Sequence, residues 1–243
     1  MPNGKHHRVL IVGGGTAGIT VAAILRRHAR DLDIAVVEPE QEHYYQPSLT
    51  LVGAGVYPLA KTHRPEASLI PPGVIWIRGA AKSFEPEKNS VRLHNGDALT
   101  YEYLVVCTGV RLDWDKVIGL AETLGTNGVC SNYSPTSVNY TWECVQKLKP
   151  GDKIICTQPP LPFKCPGAPQ KIAYLIADRL RPARHPQTVF DRLLHARAHH
   201  FRRAVFCPRV GQGRGTLRHQ CQLSAAARGR ERQRQDRNLR IRR

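Results

Sequence analysis

The sequence has no run of roughly eighteen apolar residues, which excludes a helix long enough to span a bilayer. Its first residues, Met1 to Arg8, lead straight into a short apolar strand. They contain neither the long apolar core and small-residue cleavage site of a secretory signal nor an Arg/Ser-rich presequence, so a cytoplasmic chain is expected. Lysine is absent beyond Lys171, and residues 181–243 contain only three acidic residues, Asp191, Glu231 and Asp236. Aromatic residues are scarce at 7% of the chain. The seven cysteines are scattered, and in such a chain they read as buried thiols or redox groups rather than a disulfide framework. No metal site is expected.

The net charge of +17 resembles that of a nucleic-acid-binding protein, but its distribution does not. Residues 1–180 are nearly balanced, whereas residues 181–243 contain seventeen Arg. Within that tail only Phe190, Phe201 and Phe206 could stack on bases. Phosphate neutralisation by Arg228, Arg230, Arg232 and Arg234 would be salt-sensitive and indifferent to sequence, so no specific nucleic-acid partner is expected. The two parts of the chain are different texts.

The first part has the punctuation of an α/β domain. Arg8–Val12 is a short apolar run bounded by glycines, as in a buried parallel strand. A helix is predicted from about Thr16 to Arg30, with Ile19, Ala22, Ala23 and Leu25 on its buried face. A second strand, Ile34–Val37, ends at Glu38. Residues 74–104 read as short antiparallel strands, with the turn signal Asn95-Gly96. Tyr103–Cys107 is another buried strand, ending at Thr108-Gly109. Lys153–Cys156 then begins a strand, proline-rich loop and helix, the helix placed near 168–180. Beyond Leu180 no strand-like alternation is seen.

Gly13-x-Gly15-x-x-Gly18 meets three separate needs. The first glycine permits a tight turn, the second lets a pyrophosphate approach the backbone, and the third lets helix and strand pack closely. An anion can then rest against unpaired N–H groups at the positive helix end. Glu38 follows Gly18 at the distance where a carboxylate reaches a ribose. A lone glycine pattern is weak, but here strand, helix, strand and acid stand in order. An acid there suits an unphosphorylated ribose, of either NAD or FAD.

The segments that follow make the choice. His43 to Gly55, Cys130-Ser131-Asn132-Tyr133-Ser134 and Pro162 to Lys171 resemble three blocks of the sulfide:quinone oxidoreductases, over about residues 7–180. The block Cys165-Pro166-Gly167-Ala168-Pro169-Gln170-Lys171 is the most specific of them. The resemblance implies a flavoprotein of two nucleotide-binding-like domains. It implies oxidation of sulfide to sulfane sulfur, with electrons passing through FAD to a quinone at a membrane surface. By position in the matching motifs, it places FAD contacts at Gly13, Gly15, Thr16, Ala17, Gly18, Glu38, Gln46, Ala81, Thr108, Gly109 and Lys171. It makes Cys165 the reactive cysteine and Cys130 a weaker second. Cytoplasmic localisation, peripheral to the inner membrane, follows from the family.

The residues around Cys165 support this separately. The connector from Pro159 to Gly167 has one glycine and four prolines, which cannot wrap a pyrophosphate as the first loop does, so NADH is disfavoured. Cys165 precedes a helix start and follows Lys164, and both favour a thiolate. The alternative is an inert half-buried thiol, which is the reading taken for Cys107, Cys144 and Cys156.

The resemblance ends near Leu180. The family continues with further strands, a Gly-Asp turn at the flavin, the partner cysteine and a membrane-docking region, none of which is recognised here. The expected fold class is thus α/β: a Rossmann-like FAD-binding βαβ domain with an antiparallel meander (1–135), the start of a second nucleotide-binding-like domain (136–180), and an irregular Arg-rich tail (181–243). The other functional readings are the flavin subunit of a cytochrome-linked sulfide dehydrogenase, a quinone-linked NADH dehydrogenase, and a non-catalytic remnant whose basic tail binds nucleic acid. An Arg-rich, Lys-free tail is what an out-of-frame reading of a GC-rich gene yields, which predicts a frameshift near residues 181–186. Nucleotide sequencing of the locus checks this: family motifs recovered in a neighbouring frame are the expected outcome, and their absence from all frames sinks the idea.

Overall fold

In the computed structural model, the described residues are 6–149, 152–159, 163–180, 189–197 and 200–204. Their elements run β1 (His6–Val12), α1 (Thr16–His28), β2 (Ile34–Val37), β3 (Glu42–Tyr44), α2 (Leu49–Gly53), β4 (His63–Pro65), β5 (Ile75–Ile77), β6 (Ala81–Glu85), β7 (Ser90–Leu93) and β8 (Ala98–Val106). There follow α3 (Leu120–Thr123), α4 (Val138–Gln146), β9 (Lys153–Gln158), α5 (Ala168–Arg179), β10 (Val189–Arg197) and β11 (His200–Ala204). Two compact units result. The first contains residues 1–148 and 164–176, the second residues 149–163 and 177–243. This division does not follow the boundaries expected at 135/136 and 180/181, because α4 and most of α5 pack with the first unit.

The first unit is organised by a six-stranded sheet in the order β5-β2-β1-β8-β7-β6. Strand β1 lies parallel to both β2 and β8. Alternate residues of the central strands serve opposite faces, as the strand period of two requires. Leu10, Val12, Ala35 and Val37 join Val91, Leu93, Leu99 and Tyr101 on the face shared with the meander. Val9, Ile11, Ile34 and Val36 pack with Ala22 of α1 on the other. A run that is apolar at consecutive positions is therefore what a strand covered on both faces needs. The helix buries Gly18 and Ala22, with Leu25 partly covered, whereas Ala23, expected on that face, is exposed.

Two further expectations are corrected. Strand β5 is not part of the antiparallel set: it pairs parallel with β2 at the sheet edge. The meander is β6-β7-β8. The separate strands read at Leu99–Tyr101 and Tyr103–Cys107 are one nine-residue strand, β8. Its first half pairs antiparallel with β7, and its length runs parallel to β1. One strand can serve both partners because they occupy its two opposite edges. The Asn95-Gly96 turn is present, with Gly96 at φ +92° and its N–H donating to the Leu93 carbonyl at 3.1 Å.

In the second unit β9 pairs parallel with β10, and β10 antiparallel with β11. The absence of strand-like alternation after Leu180 did not prevent this, since ladder bonds use backbone groups alone. Most of the Arg-rich tail, including Cys207, Cys221 and the Arg clusters at 228–234, lies outside the described residues. Among those that are described, no helix is long and apolar enough to cross a membrane.

The turn from β1 to α1 has no spare volume at Gly13 or Gly18. A Cβ on Gly18 would collide with the Gly13 carbonyl oxygen, and one on Gly13 with the Cys107 carbonyl oxygen. Gly18→Ala must therefore part helix from strand. A loss of about 3 kcal/mol in unfolding free energy is expected, measured by urea denaturation, whereas Gly15→Ala, which meets open space, should cost under about 1 kcal/mol.

Candidate functional site

The glycine loop is positioned by the two strands that flank β1. The Gly13 N–H donates to the Val37 carbonyl at 2.8 Å, and the Cys107 N–H to the Val12 carbonyl at 2.7 Å. Gly13 adopts φ +107°, a conformation that L side chains rarely take. Gly15 is the N-cap of α1, with no side-chain cap and no acid in the first turn. Nothing lies within 4 Å of a Cβ built on Gly15. The first N–H groups of a helix have no partner within it. Gly15, Thr16 and Ala17, all exposed, thus frame an open, electropositive helix end. These features fit the diphosphate of a dinucleotide.

Glu38 stands where the sequence pattern expects it, and it also braces the loop. Its Oε2 accepts from the Gly14 N–H at 2.7 Å and its Oε1 from the Glu40 N–H at 2.9 Å. A carboxylate oxygen can accept more than one hydrogen bond, so capacity for ribose hydroxyls remains. The Trp76 indole N–H donates to the Glu38 carbonyl at 2.9 Å and fixes the strand end. Thr108 and Gly109, the latter at φ +72°, follow β8 immediately beside Gly13 and are exposed.

Three segments distant in sequence meet on the same unit. In the first, Gln46 opens a single 3-10 turn that leads into α2. Leu49 and Val52 of this segment are buried against Val138 of α4. A Cβ on Gly55, which has φ +67°, would collide with the Trp142 indole, and one on Gly53 would lie 3.2 Å from Ile172 of α5. The Lys171 ammonium donates to the Pro47 carbonyl at 3.2 Å. In the second, the Ser131 carbonyl accepts from Ser137 Oγ at 3.1 Å and Thr141 Oγ1 at 3.4 Å. The Tyr133 hydroxyl links this segment to the third, donating to the Cys165 carbonyl at 3.4 Å.

Cys165 is exposed, whereas Cys107, Cys130, Cys144 and Cys156 are half-buried. Its backbone is left-handed, at φ +56°, and its carbonyl also accepts from the Ala168 N–H at 2.9 Å, which bends the chain into α5. Burial pulls the Lys164 ammonium below its ordinary range, opposed by the charge of Cys165. Tyr133 is pushed up to about 12, first by burial and then by the Cys165 charge, so its hydroxyl keeps its proton at neutral pH. Cys130 Sγ donates to the Gly128 carbonyl at 3.3 Å, in a separate loop. Ala81 begins β6 and packs against the core cluster of the meander and the central strands. The sequence reading missed Glu66, a buried acid beneath the glycine loop, whose only sequence signal is an acid outside any motif.

The family model for pyridine nucleotide-disulphide oxidoreductases matches residues 7–134. The mitochondrial sulfide:quinone oxidoreductase of Dictyostelium discoideum is 46% identical over 175 residues, which are 72% of this chain and 39% of the relative. The mouse mitochondrial sulfide:quinone oxidoreductase is 42% identical over 171 residues, 70% of this chain and 38% of the relative. The chain therefore spans about two-fifths of the length of these relatives. The crystal structure of the sulfide:quinone oxidoreductase of Aquifex aeolicus superposes with a TM-score of 0.61 at 25% identity, covering 76% of this chain and 42% of that one.

Exposure and burial predict an order of thiol reactivity. Burial pushes the Cys156 thiol up to about 11, which leaves almost no thiolate at neutral pH. Brief iodoacetamide treatment at neutral pH, read by peptide mass spectrometry, is expected to label Cys165 first among the five cysteines of the described residues and to leave Cys156 unmodified.

Proposed function

Since the chain belongs to the pyridine nucleotide-disulphide oxidoreductase family, we propose that it is a sulfide:quinone oxidoreductase-type flavoprotein, with FAD as its cofactor and sulfide and a quinone as its substrates. The observation that carries the reading is the convergence of three segments, Gln46–Gly55, Cys130–Ser134 and Cys165–Lys171, through Lys171, Trp142 and Tyr133. These are the segments whose motifs resemble that enzyme family. Gly13, Gly15, Thr16, Ala17 and Gly18 hold the cofactor's diphosphate and Glu38 its ribose. Thr108 and Gly109 serve the flavin side, and Gln46, Ala81 and Lys171 are further contacts to FAD. The membrane surface is where a quinone would be met, by a peripheral association.

Cys165 is the reacting sulfur. Hydrosulfide attacks one sulfur of a disulfide between Cys165 and a partner cysteine, which the family carries beyond the segments recognised here; Cys130 is a weaker second reactive cysteine. A new S–S bond makes one sulfur a persulfide, and the broken disulfide releases the other as a thiolate, so the two electrons lost by sulfide reside on that thiolate. FAD, when bound, supplies the two-electron acceptor from which a quinone is reduced. Lys164 offers a cation beside Cys165, and Tyr133 a neutral O–H at its backbone. The exposed position of Cys165 gives small anions access.

An absorbance spectrum tests the reading. The purified chain loaded with FAD is expected to show flavin bands that bleach on anaerobic addition of sulfide. Cys165→Ser should retain the bands and lose at least about a hundredfold in bleaching rate, as expected when a nucleophile is removed. Bands that persist in the unaltered protein with sulfide would sink the assignment.

A further inference from the structure

Glu66 is buried almost completely, at 1% exposure, in the single 3-10 turn Glu66–Ser68 that follows β4. Its backbone is fixed by a 2.7 Å bond from its N–H to the Gln41 carbonyl and by the Leu69 and Ile70 N–H groups donating to its own carbonyl. The side chain points under the glycine loop, since a Cβ built on Gly14 would lie 2.5 Å from Glu66 Oε1. That oxygen has no hydrogen-bond partner. Glu66 Oε2 lies 3.4 Å from His43 Nδ1, and His43 Nε2 is 3.3 Å from Thr16 Oγ1, in the first turn of α1. A chain of polar contacts thus runs from the buried carboxyl to the helix end that faces a diphosphate.

We propose that Glu66 is a positioning residue of the dinucleotide site, sharing a proton with His43, so that the grip of the glycine loop on an anionic diphosphate depends on pH. The inference needs only the dinucleotide part of the functional reading, not the sulfide chemistry. With one proton, the Glu66–His43 pair is neutral whichever residue holds it; without it, the pair carries one negative charge. The ionisable groups acting on Glu66 are His43 on β3 and Glu38 at the end of β2, whose charge opposes ionisation. Glu42 and His63, on the same strand pair, lie 2.9 Å apart and bond each other rather than Glu66. Burial first, and Glu38 second, push the Glu66 carboxyl up to about 7 from 4.5. Loss of its proton near neutral pH places a second carboxylate charge beside Glu38, under a loop that must attract phosphate.

The sign follows from linkage. Because its folded value is raised, Glu66 makes the folded state bind more protons than the unfolded state between pH 4.5 and about 7. Stability therefore falls as pH rises through that window, and the cost is absent when the group cannot ionise. Glu66→Gln keeps shape and removes the titration. Melting temperature is expected to fall from about pH 5 to about pH 8 by more in the unaltered protein than in E66Q. Parallel curves would overturn the proposal. The Kd for FAD, from flavin fluorescence quenching, is expected to rise roughly threefold to tenfold from about pH 6 to about pH 8, and to stay flat in E66Q. Equal slopes in the two proteins would also overturn it.

Should E66Q fail to fold, His43→Gln serves instead. Removal of the imidazole takes away one of the two places where the shared proton can rest, so the pair loses its proton more readily and the midpoint of the pH dependence should move downward. An unmoved midpoint counts against the pair. Absence of FAD binding in every protein would sink the flavoprotein reading. ADP, which has the same diphosphate, then replaces FAD as the probe, and absence of ADP binding too would end this inference as well.

Discussion

The contact between Gly18 and the Gly13 carbonyl is the constraint on which the rest of the first unit depends. Strand β1 must end, turn and start a helix within three residues, and the helix must lie close enough to bury Ala22 against Val9, Ile11 and Val36. Any side chain at position 18 would push α1 outward, lose that face and open the loop. Gly13 meets the same demand from the other side, wedged against the end of β8. The close approach of three backbones leaves the N–H groups of the first helical turn pointing into open space over Gly15. Packing and anion binding are thus two results of one geometry. A sequence selected for the first acquires the electrostatic field needed for the second.

The convergence of α2, α4 and α5 works differently. It rests on side chains of ordinary type in close contact: Trp142 over Gly55, Ile172 against Gly53, and Leu49 and Val52 on Val138. Its effect is to bring an exposed cysteine on a left-handed backbone to the surface of the unit that carries the glycine loop. A non-glycine residue at positive φ is uncommon and persists where its surroundings hold it. Here the Ala168 N–H and the Tyr133 hydroxyl both fix the Cys165 carbonyl. The exposed side chain is thereby presented by its backbone, and neither of these bonds engages its sulfur.

The parts legible in the sequence are those where one residue type is nearly obligatory. Glycines at 13, 15 and 18, an acid ending β2, and consecutive apolar residues in β1 and β2 each answer a single local demand. The parts that were not legible depend on partners distant in the chain. Nothing in Ile75–Ile77 distinguishes an antiparallel strand from a parallel edge strand, because both are short and apolar. The fusion of two apparent strands into β8 is decided by β1 and β7 together. The pairing of β10 with β9 is likewise set by backbone groups, which a search for side-chain alternation does not detect. The motif around Cys165 is dense enough to be noticed in the sequence, while the left-handed backbone of Cys165 is not, since Pro166 and Gly167 rather than the cysteine are the residues that ordinarily signal a turn.

Glu66 shows a further reason why a site is read incompletely from sequence. An acid under an anion-binding loop contradicts the simplest electrostatic rule, so a motif search has no cause to include it. The structure resolves the contradiction through two local facts. Glu38 already occupies the Gly14 N–H, so the first acid is bound to the loop by a charge-assisted hydrogen bond and its charge is partly spent within the fold. Glu66, with burial pushing it up to about 7, is largely protonated below neutral pH, and His43 Nδ1 lies 3.4 Å from its Oε2. A neutral carboxyl can fill the space beneath Gly14 that no side chain on the loop could fill. The field at the helix end then comes chiefly from its own N–H groups. What the loop requires of residue 66 is therefore shape and a proton, and only the second of these varies with pH.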